Sequence, residues 1–326
     1  MTRSWLLLWL GSCLAASPTG CGDAAASDAT DSSGEDAPGE LPPDGTEDRL
    51  DIGDEDAAPP DGPVDVPTDP GDVPEDRPDA DDAADAPDAP PGVWRPAPGT
   101  SWQWQLTETI DASLDVAMYD IDLFEAPQAT IDGLRARGVA VICYFSAGSR
   151  EEWRDDADDF PTAAVGNPLD GWDGESWLDI RDAGVRNVMR ARLDLAVAKR
   201  CDGVEPDNVD GYSNDSGFPL TAADQLDYNR FLAAAAHARG LSVGLKNDLE
   251  QLDELEPDFD WALNEECFEY DECELLQPFI DAGKAVFQVE YGAASLADRI
   301  CPQANALDFD TLIKRLDLDA WRVPCR

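Results

Sequence analysis

The sequence predicts a parallel (β/α)8 barrel of the TIM type over residues 93–326, on three observations. Short apolar runs alternate with longer helical stretches from about Val93 onward, the rhythm of repeated β/α units. About eight such runs occur, the number that closes a barrel. Neither a GxGxxG loop after the first run nor a GxxxxGK[ST] loop is present, which disfavours an open nucleotide-binding sheet.

The runs are VAMYDI (116–121), AVICYFS (140–146), WLDI (177–180), GVEPD (203–207), SVGLKN (242–247), WALNE (261–265), AVFQVEY (285–291) and AWRV (320–323). SWQWQL (101–106) reads as an extra segment before the first barrel strand. Helices are expected over 126–138, 184–200 and 221–240. The last opens on Thr221 with Asp224 three residues on, a capping box, and stops at Gly240.

What precedes the barrel is of another kind. Residues 1–21 carry Arg3 and an apolar stretch from Trp5 to Leu10, too short to span a bilayer and suited to a secretory signal. Cys21 follows Pro-Thr-Gly and is the expected lipidation site of a lipoprotein; Cys13, after Leu-Gly-Ser, is the competing position. Residues 22–92 hold 24 acids, 2 bases, about half of the prolines and no aromatic residue. Such a segment cannot bury enough apolar area to offset its ordering entropy, so a disordered, self-repelling linker is expected. The protein is therefore expected to be exported, either secreted or held at the outer membrane or cell surface by lipid alone.

The barrel region is itself acidic, with 26 net negative charges out of the chain's 47. That argues against a nucleic-acid partner, which needs a basic face, and is compatible with a cationic one, with a solubilising surface as the plainer role of the bulk charge. Six cysteines remain there, and export implies an oxidising compartment. The pairs expected are Cys143–Cys201, Cys267–Cys273 and Cys301–Cys325. With no CxxC pair and His237 as the chain's single histidine, no metal site or other cofactor is expected.

Strand C-termini form the active face of such barrels, and here they are polar. Asp120 and Asp122 end the first run, Tyr144 the second, and Glu205, Asp207, Asn208 and Asp210 the fourth. Lys246 and Asn247 end the fifth, Glu265 and Glu266 the sixth, and Glu290 and Tyr291 the seventh. Buried unpaired charge is costly, so this pattern argues for a site. His237 lies in a helix interior, so no histidine-activated nucleophile fits. Two carboxylates across a cleft are the minimum for glycoside hydrolysis. Trp102, Trp104, Tyr144, Trp172 and Tyr291 are candidates to stack on sugars, with core packing the more ordinary role for any one tryptophan.

The runs MYDIDLF (118–124), VICYFSAGS (141–149), WLDIR (177–181), CDGVEPDNVDGY (201–212), GLKND (244–248) and NEECFEYDEC (264–273) resemble, in order, glycoside hydrolase family 114, the endo-α-1,4-polygalactosaminidases. The resemblance implies a (β/α)8 barrel that cleaves α-1,4-linked galactosamine polymers. It implies Asp207 as nucleophile and Glu265 as general acid/base, ending the fourth and sixth strands, in a retaining mechanism. The residues alone leave Glu265 and Glu266 undecided; the motif favours Glu265. Asp120, Asp122 and Asp210 are expected to pair with cationic amino groups of the sugar chain, and Asn208, Lys246 and Asn247 to line the cleft. Glu205 is either a further cleft acid or a partner for Lys246. The partner expected is thus a cationic amino-sugar polysaccharide met by a monomer; the alternative is a non-catalytic carbohydrate-binding barrel on the cell surface.

Overall fold

The computed structural model describes residues 92–326. The leader, Cys21 and the acidic stretch as far as residue 91 lie outside the described residues. Twelve strands follow: β1 (Trp102–Gln105), β2 (Met118–Asp122), β3 (Ala140–Ser146), β4 (Ser149–Glu151), β5 (Val165–Pro168), β6 (Glu175–Leu178), β7 (Gly203–Asp207), β8 (Ser242–Lys246), β9 (Trp261–Glu265), β10 (Val286–Tyr291), β11 (Asp310–Lys314) and β12 (Val323–Pro324). The helices are α1 (Gln128–Ala136), α2 (Ala183–Lys199), α3 (Ala222–His237), α4 (Leu252–Leu255), α5 (Cys267–Tyr270), α6 (Gln277–Asp281) and α7 (Ala297–Ala306).

One mixed α/β architecture results. A nine-stranded sheet runs β1-β2-β3-β7-β8-β9-β10-β11-β12; its first eight strands are parallel to their neighbours, and β12 is antiparallel. The sheet curls far enough that the Trp102 indole of β1 donates to the Asp310 carbonyl of β11 at 2.7 Å. A separate antiparallel sheet, β4-β6-β5, is inserted after β3.

Three strand expectations are corrected. Trp177 and Leu178 belong to the inserted sheet, so β3 pairs directly with β7 and WLDI is not a barrel strand. SWQWQL is no extra segment: β1 lies within it and heads the main sheet. The eighth parallel strand is β11, DTLIK, and AWRV supplies only the start of the two-residue β12. β11 escapes a hydropathy reading because only Leu312 and Ile313 are apolar. Its buried Asp310 is satisfied by the Gly99 N–H and Arg326, and its buried Lys314 by the Asp319 carbonyl.

Strand alternation sorts the core into two. One face of the main sheet carries Trp102, Trp104, Met118, Ile142, Trp261, Leu263, Phe287 and Leu312. The other, with Ile121, Val141, Cys143, Val204, Val243 and Leu245, packs with helix residues such as Leu134, Leu193 and Leu232. Gly244 is required for room, since a Cβ there would lie 2.3 Å from the Trp261 ring.

The helices begin where their caps dictate. Asp182 accepts the N–H groups of Gly184 and Val185 to start α2, and Thr221 and Asp224 form the expected capping box of α3. The three disulfides are Cys143–Cys201, Cys267–Cys273 and Cys301–Cys325, the pairs expected. The first closes 58 residues of chain, a loop whose lost entropy in the unfolded chain corresponds to about 4 kcal/mol.

Candidate active site

The C-terminal ends of β7, β8, β9 and β10 converge on one buried ammonium. Lys246 is 2 % exposed, and its Nζ lies 3.1 Å from Glu205 Oε1, 3.0 Å from Asp207 Oδ1 and 3.1 Å from Glu265 Oε2. Burial works against that ammonium, but Asp207, Glu265 and Glu205 outweigh it and hold its pKa well above the usual lysine range. The two upper acids share one cation, so the two oxygens it contacts lie no more than 6.1 Å apart.

Asp207 is held by several neighbours. Its Oδ1 also accepts the Asn208 N–H at 2.8 Å, and its Oδ2 accepts the Tyr144 hydroxyl at 3.1 Å. Its carbonyl takes the N–H groups of Ala147 and Gly148. The close approach needs glycine, because a Cβ on Gly148 would meet the Asn208 carbonyl at 1.7 Å. Glu265 is held in the same manner. Its Oε1 accepts the Tyr291 hydroxyl, its Oε2 accepts Asn247 Nδ2 at 3.2 Å, and its own N–H donates to Asn247 Oδ1 at 3.0 Å.

The backbone turns sharply past each of these strand ends. Asn208, Asn247, Asp248 and Glu266 all have φ between 48° and 62°. Asn and Asp enter this left-handed region readily, whereas for Glu266 it is uncommon. At that turn the paired glutamates part: Glu265 faces Lys246 and Tyr291, while Glu266 precedes α5. Burial, with Glu265 and Glu290 nearby, pushes the Glu266 carboxyl up to about 7.

Beneath this upper tier lies a second, closed one. Glu205 is fully buried, with Oε2 accepting the Trp104 indole at 3.1 Å, and burial pushes its carboxyl up to about 7 against the pull of Lys246. Asp120 is also fully buried, and the side chain it meets is Glu205, carboxyl against carboxyl. Burial first, then Glu205, hold its pKa well above the usual range. Glu205 is therefore the partner of Lys246 rather than a cleft acid, and Asp120 has no open route to a sugar amino group. Asp122 is corrected as well. Arg154 grips both its oxygens at 3.1 and 2.6 Å, and Oδ1 takes the N–H groups of Phe124 and Glu125. Its work is to tie the end of β2 to the inserted sheet. Trp102 and Trp104, candidates for stacking, are core residues at 2 % and 1 % exposure. Asp210 stays beside the site, half-buried, its carboxyl raised to about 6 by burial and then by Asp207.

Further polar strand-end residues join the site, and Glu175 is the member that sequence reading missed. Ser146 and Ser149 share a hydrogen bond of 2.7 Å; Ser149 donates to the buried Glu175 at 2.6 Å, and Asn208 Nδ2 donates to Ser146 at 2.9 Å. Glu175 arrives from β6, and burial lifts it to about 7. Asp248, against Asn229 Nδ2 at 2.8 Å, is lifted to about 9 by burial and then by Asp210. For Asp248, its place directly after Lys246 and Asn247 was the available signal. For Glu175 there was none, because its strand was assigned to the wrong sheet.

These raised acids set a pH dependence of stability. Between about pH 4, where unfolded carboxyls titrate, and their own values of about 6 to 9, Asp210, Glu205, Glu175 and Asp248 bind protons that the unfolded chain has released. Stability therefore falls as pH rises through that window. Asp111, Asp179, Asp194 and Asp224, lowered by hydrogen bonds to Ser113, Arg181, Arg239 and Thr221, oppose this only below about pH 4. The urea midpoint is expected to be higher at pH 5 than at pH 8; an equal or lower midpoint at pH 5 would show that these groups are not buried as described.

A parallel α/β sheet whose strand ends bring two partly exposed carboxylates against one buried lysine carries the equipment of a two-carboxylate glycoside hydrolase. The sequence model of glycoside hydrolase family GH114 matches residues 83–326. The chain belongs to that family, and it is a glycoside hydrolase. It is similar to Aspergillus fumigatus Ega3, whose crystal structure is a complex with galactosamine. The identity is 45 % over 71 % of this chain and 97 % of that one, with a TM-score of 0.69. It shares its fold with the glycoside hydrolase domain of PelA from Pseudomonas aeruginosa, at 14 % identity over 68 % of this chain and 97 % of that one, with a TM-score of 0.56. No curated protein matches the chain.

Proposed function

We propose that this protein is an exported endo-glycosidase that cleaves α-1,4 bonds in a galactosamine-containing polysaccharide with retention of configuration. Asp207 is the nucleophile and Glu265 the general acid/base. The observation that carries the mechanism is the single Lys246 ammonium 3.0 Å from Asp207 and 3.1 Å from Glu265. The resulting ceiling of 6.1 Å between those oxygens lies below the roughly 6.5–9.5 Å of inverting enzymes and admits the roughly 5–5.5 Å of retaining ones.

The steps follow from the contacts. Asp207, aimed by Tyr144 and the Asn208 N–H, attacks the anomeric carbon as the glycosidic bond breaks. Glu265, in its protonated form, gives its proton to the departing oxygen. It then takes a proton from water, which attacks the same carbon and frees Asp207. The substrate class is supported by Ega3, crystallised with galactosamine at 45 % identity, and by the acidity of the domain, which attracts a chain of ammonium groups. Asp210 is the acid placed to meet one of them.

The same reading takes the main sheet as a (β/α)8 barrel, supported by eight parallel strands and by the bond from β1 to β11. It places this domain at 93–326, as a monomer. A leader ending at Cys21 and the acidic tether 22–92 hold it off a membrane. Support for the last part is the sequence alone. Product sizing tests the activity: incubation with α-1,4-linked polygalactosamine is expected to give a ladder of short oligomers. An undigested polymer, or release of single sugars only, would overturn the endo-acting assignment.

A further inference from the structure

Among the described tryptophans, only Trp153 and Trp172 are exposed by about half, at 53 % and 50 %. Trp153 lies in the turn after β4 and Trp172 in the turn before β6, so both flank the inserted β4-β6-β5 sheet, which leaves the main sheet after β3, on the side where Asp207 and Glu265 sit. The sheet stands beside the site. Ser149 at the start of β4 is hydrogen-bonded to Ser146, and Ser146 is the register partner of Asp207. Glu151 of β4 pairs with Glu175 of β6, and Asp207 is among the charges that push Glu175 up. Trp153 follows Glu151 by two residues, in a turn closed by the Arg154 N–H on the Glu151 carbonyl at 3.2 Å, so its backbone lies within about 7 Å of β4.

Both indoles sit on fixed backbone. The turn bearing Trp172 is closed by bonds from Leu169 N–H to Glu175 O (3.0 Å), Trp172 N–H to Leu169 O (3.2 Å) and Glu175 N–H to Trp172 O (3.2 Å). Gly174, at φ +88°, is tucked against the Trp153 ring, and a Cβ there would meet that ring at 3.1 Å. Around the pair, Glu152, Asp155, Asp170 and Asp173 are exposed, and none forms an ion pair among the described residues. The two local cations are already engaged: Arg154 by Asp122 and Glu151, and Arg150 by the Ala157 carbonyl and Asp158. Two rigid, half-exposed aromatic faces ringed by uncompensated carboxylates fit a chain of sugars with apolar ring faces and ammonium substituents.

We propose that Trp153 and Trp172 form a distal sugar-stacking platform that holds the galactosamine-containing chain beyond the cleft, an inference that rests on the function proposed above. The platform contacts units remote from the bond being cut, so it raises affinity for long chains and leaves the chemistry on short ones unchanged.

The test compares wild type, W153A/W172A and W153F/W172F on long polygalactosamine and on the shortest oligomer that wild type cuts. The alanine pair is expected to raise KM on the polymer about tenfold, the effect of one aromatic contact of this kind. It should leave kcat/KM on the oligomer unchanged, and the phenylalanine pair should recover most of the loss. An unchanged KM on the polymer, or equal losses on both substrates, overturns the platform while wild-type cleavage keeps the functional reading. If wild type cuts neither substrate, the functional reading falls and the platform with it.

Discussion

Asp207→Asn is expected to lower kcat on polygalactosamine at least about 10³-fold, because an amide cannot form the covalent bond to the anomeric carbon. The fold should survive. Asparagine keeps an acceptor for the Tyr144 hydroxyl at Oδ2 or for the Asn208 N–H at Oδ1, and the position is partly open to solvent. Binding of the polymer should therefore persist while turnover is lost. Glu265→Gln is expected to lose about 10²–10⁴-fold, the usual share of a general acid/base. Its deficit should shrink on substrates with a good leaving group, which needs no proton, and that contrast separates the two roles. Near-wild-type turnover by Asp207→Asn would remove it from the chemistry.

Lys246→Met is expected to have the largest effect on stability. It removes the one cation between three acids, two of which are the proposed reacting pair. Deleting one partner of a buried ion cluster costs about 3–5 kcal/mol, which should appear as a lower urea midpoint together with loss of turnover. The cost should be greater at pH 8 than at pH 5. Glu205, at about 7 with Lys246 present, rises further without it and is neutral at pH 5. At pH 8 ionisation is demanded of it with no counter-ion. Lys246 itself remains charged across this range in both folded and unfolded chains, so it adds no slope of its own. A pH-independent cost would mean that Glu205 does not titrate in this window.

The site was legible in the sequence where chemistry sits at strand ends. Asp207, Lys246, Asn247, Glu265 and Tyr291 follow apolar runs whose alternation already sets which side chain faces inward. Glu205 and Asp120 obey the same alternation, yet depth along the strand separates a cleft acid from a buried one, and no local pattern encodes depth. Asp122 shows another limit: its partner, Arg154, comes from an insertion 32 residues away. The fold was legible as a count of parallel strands, while the identity of two was not. DTLIK hides its strand behind Asp310 and Lys314, whose polar groups find partners only in the folded chain. WLDI has strand character but pairs with β4 and β5, because β3 already lies beside β7.

Asp207 and Glu265, held close by Lys246, are proposed to act by double displacement. Proton NMR of the reducing end formed in the first minutes of cleavage, before mutarotation, tests it most directly. The α-anomer is expected to accumulate first and then equilibrate; initial β-anomer would show single displacement and contradict the assignment of Asp207 as nucleophile.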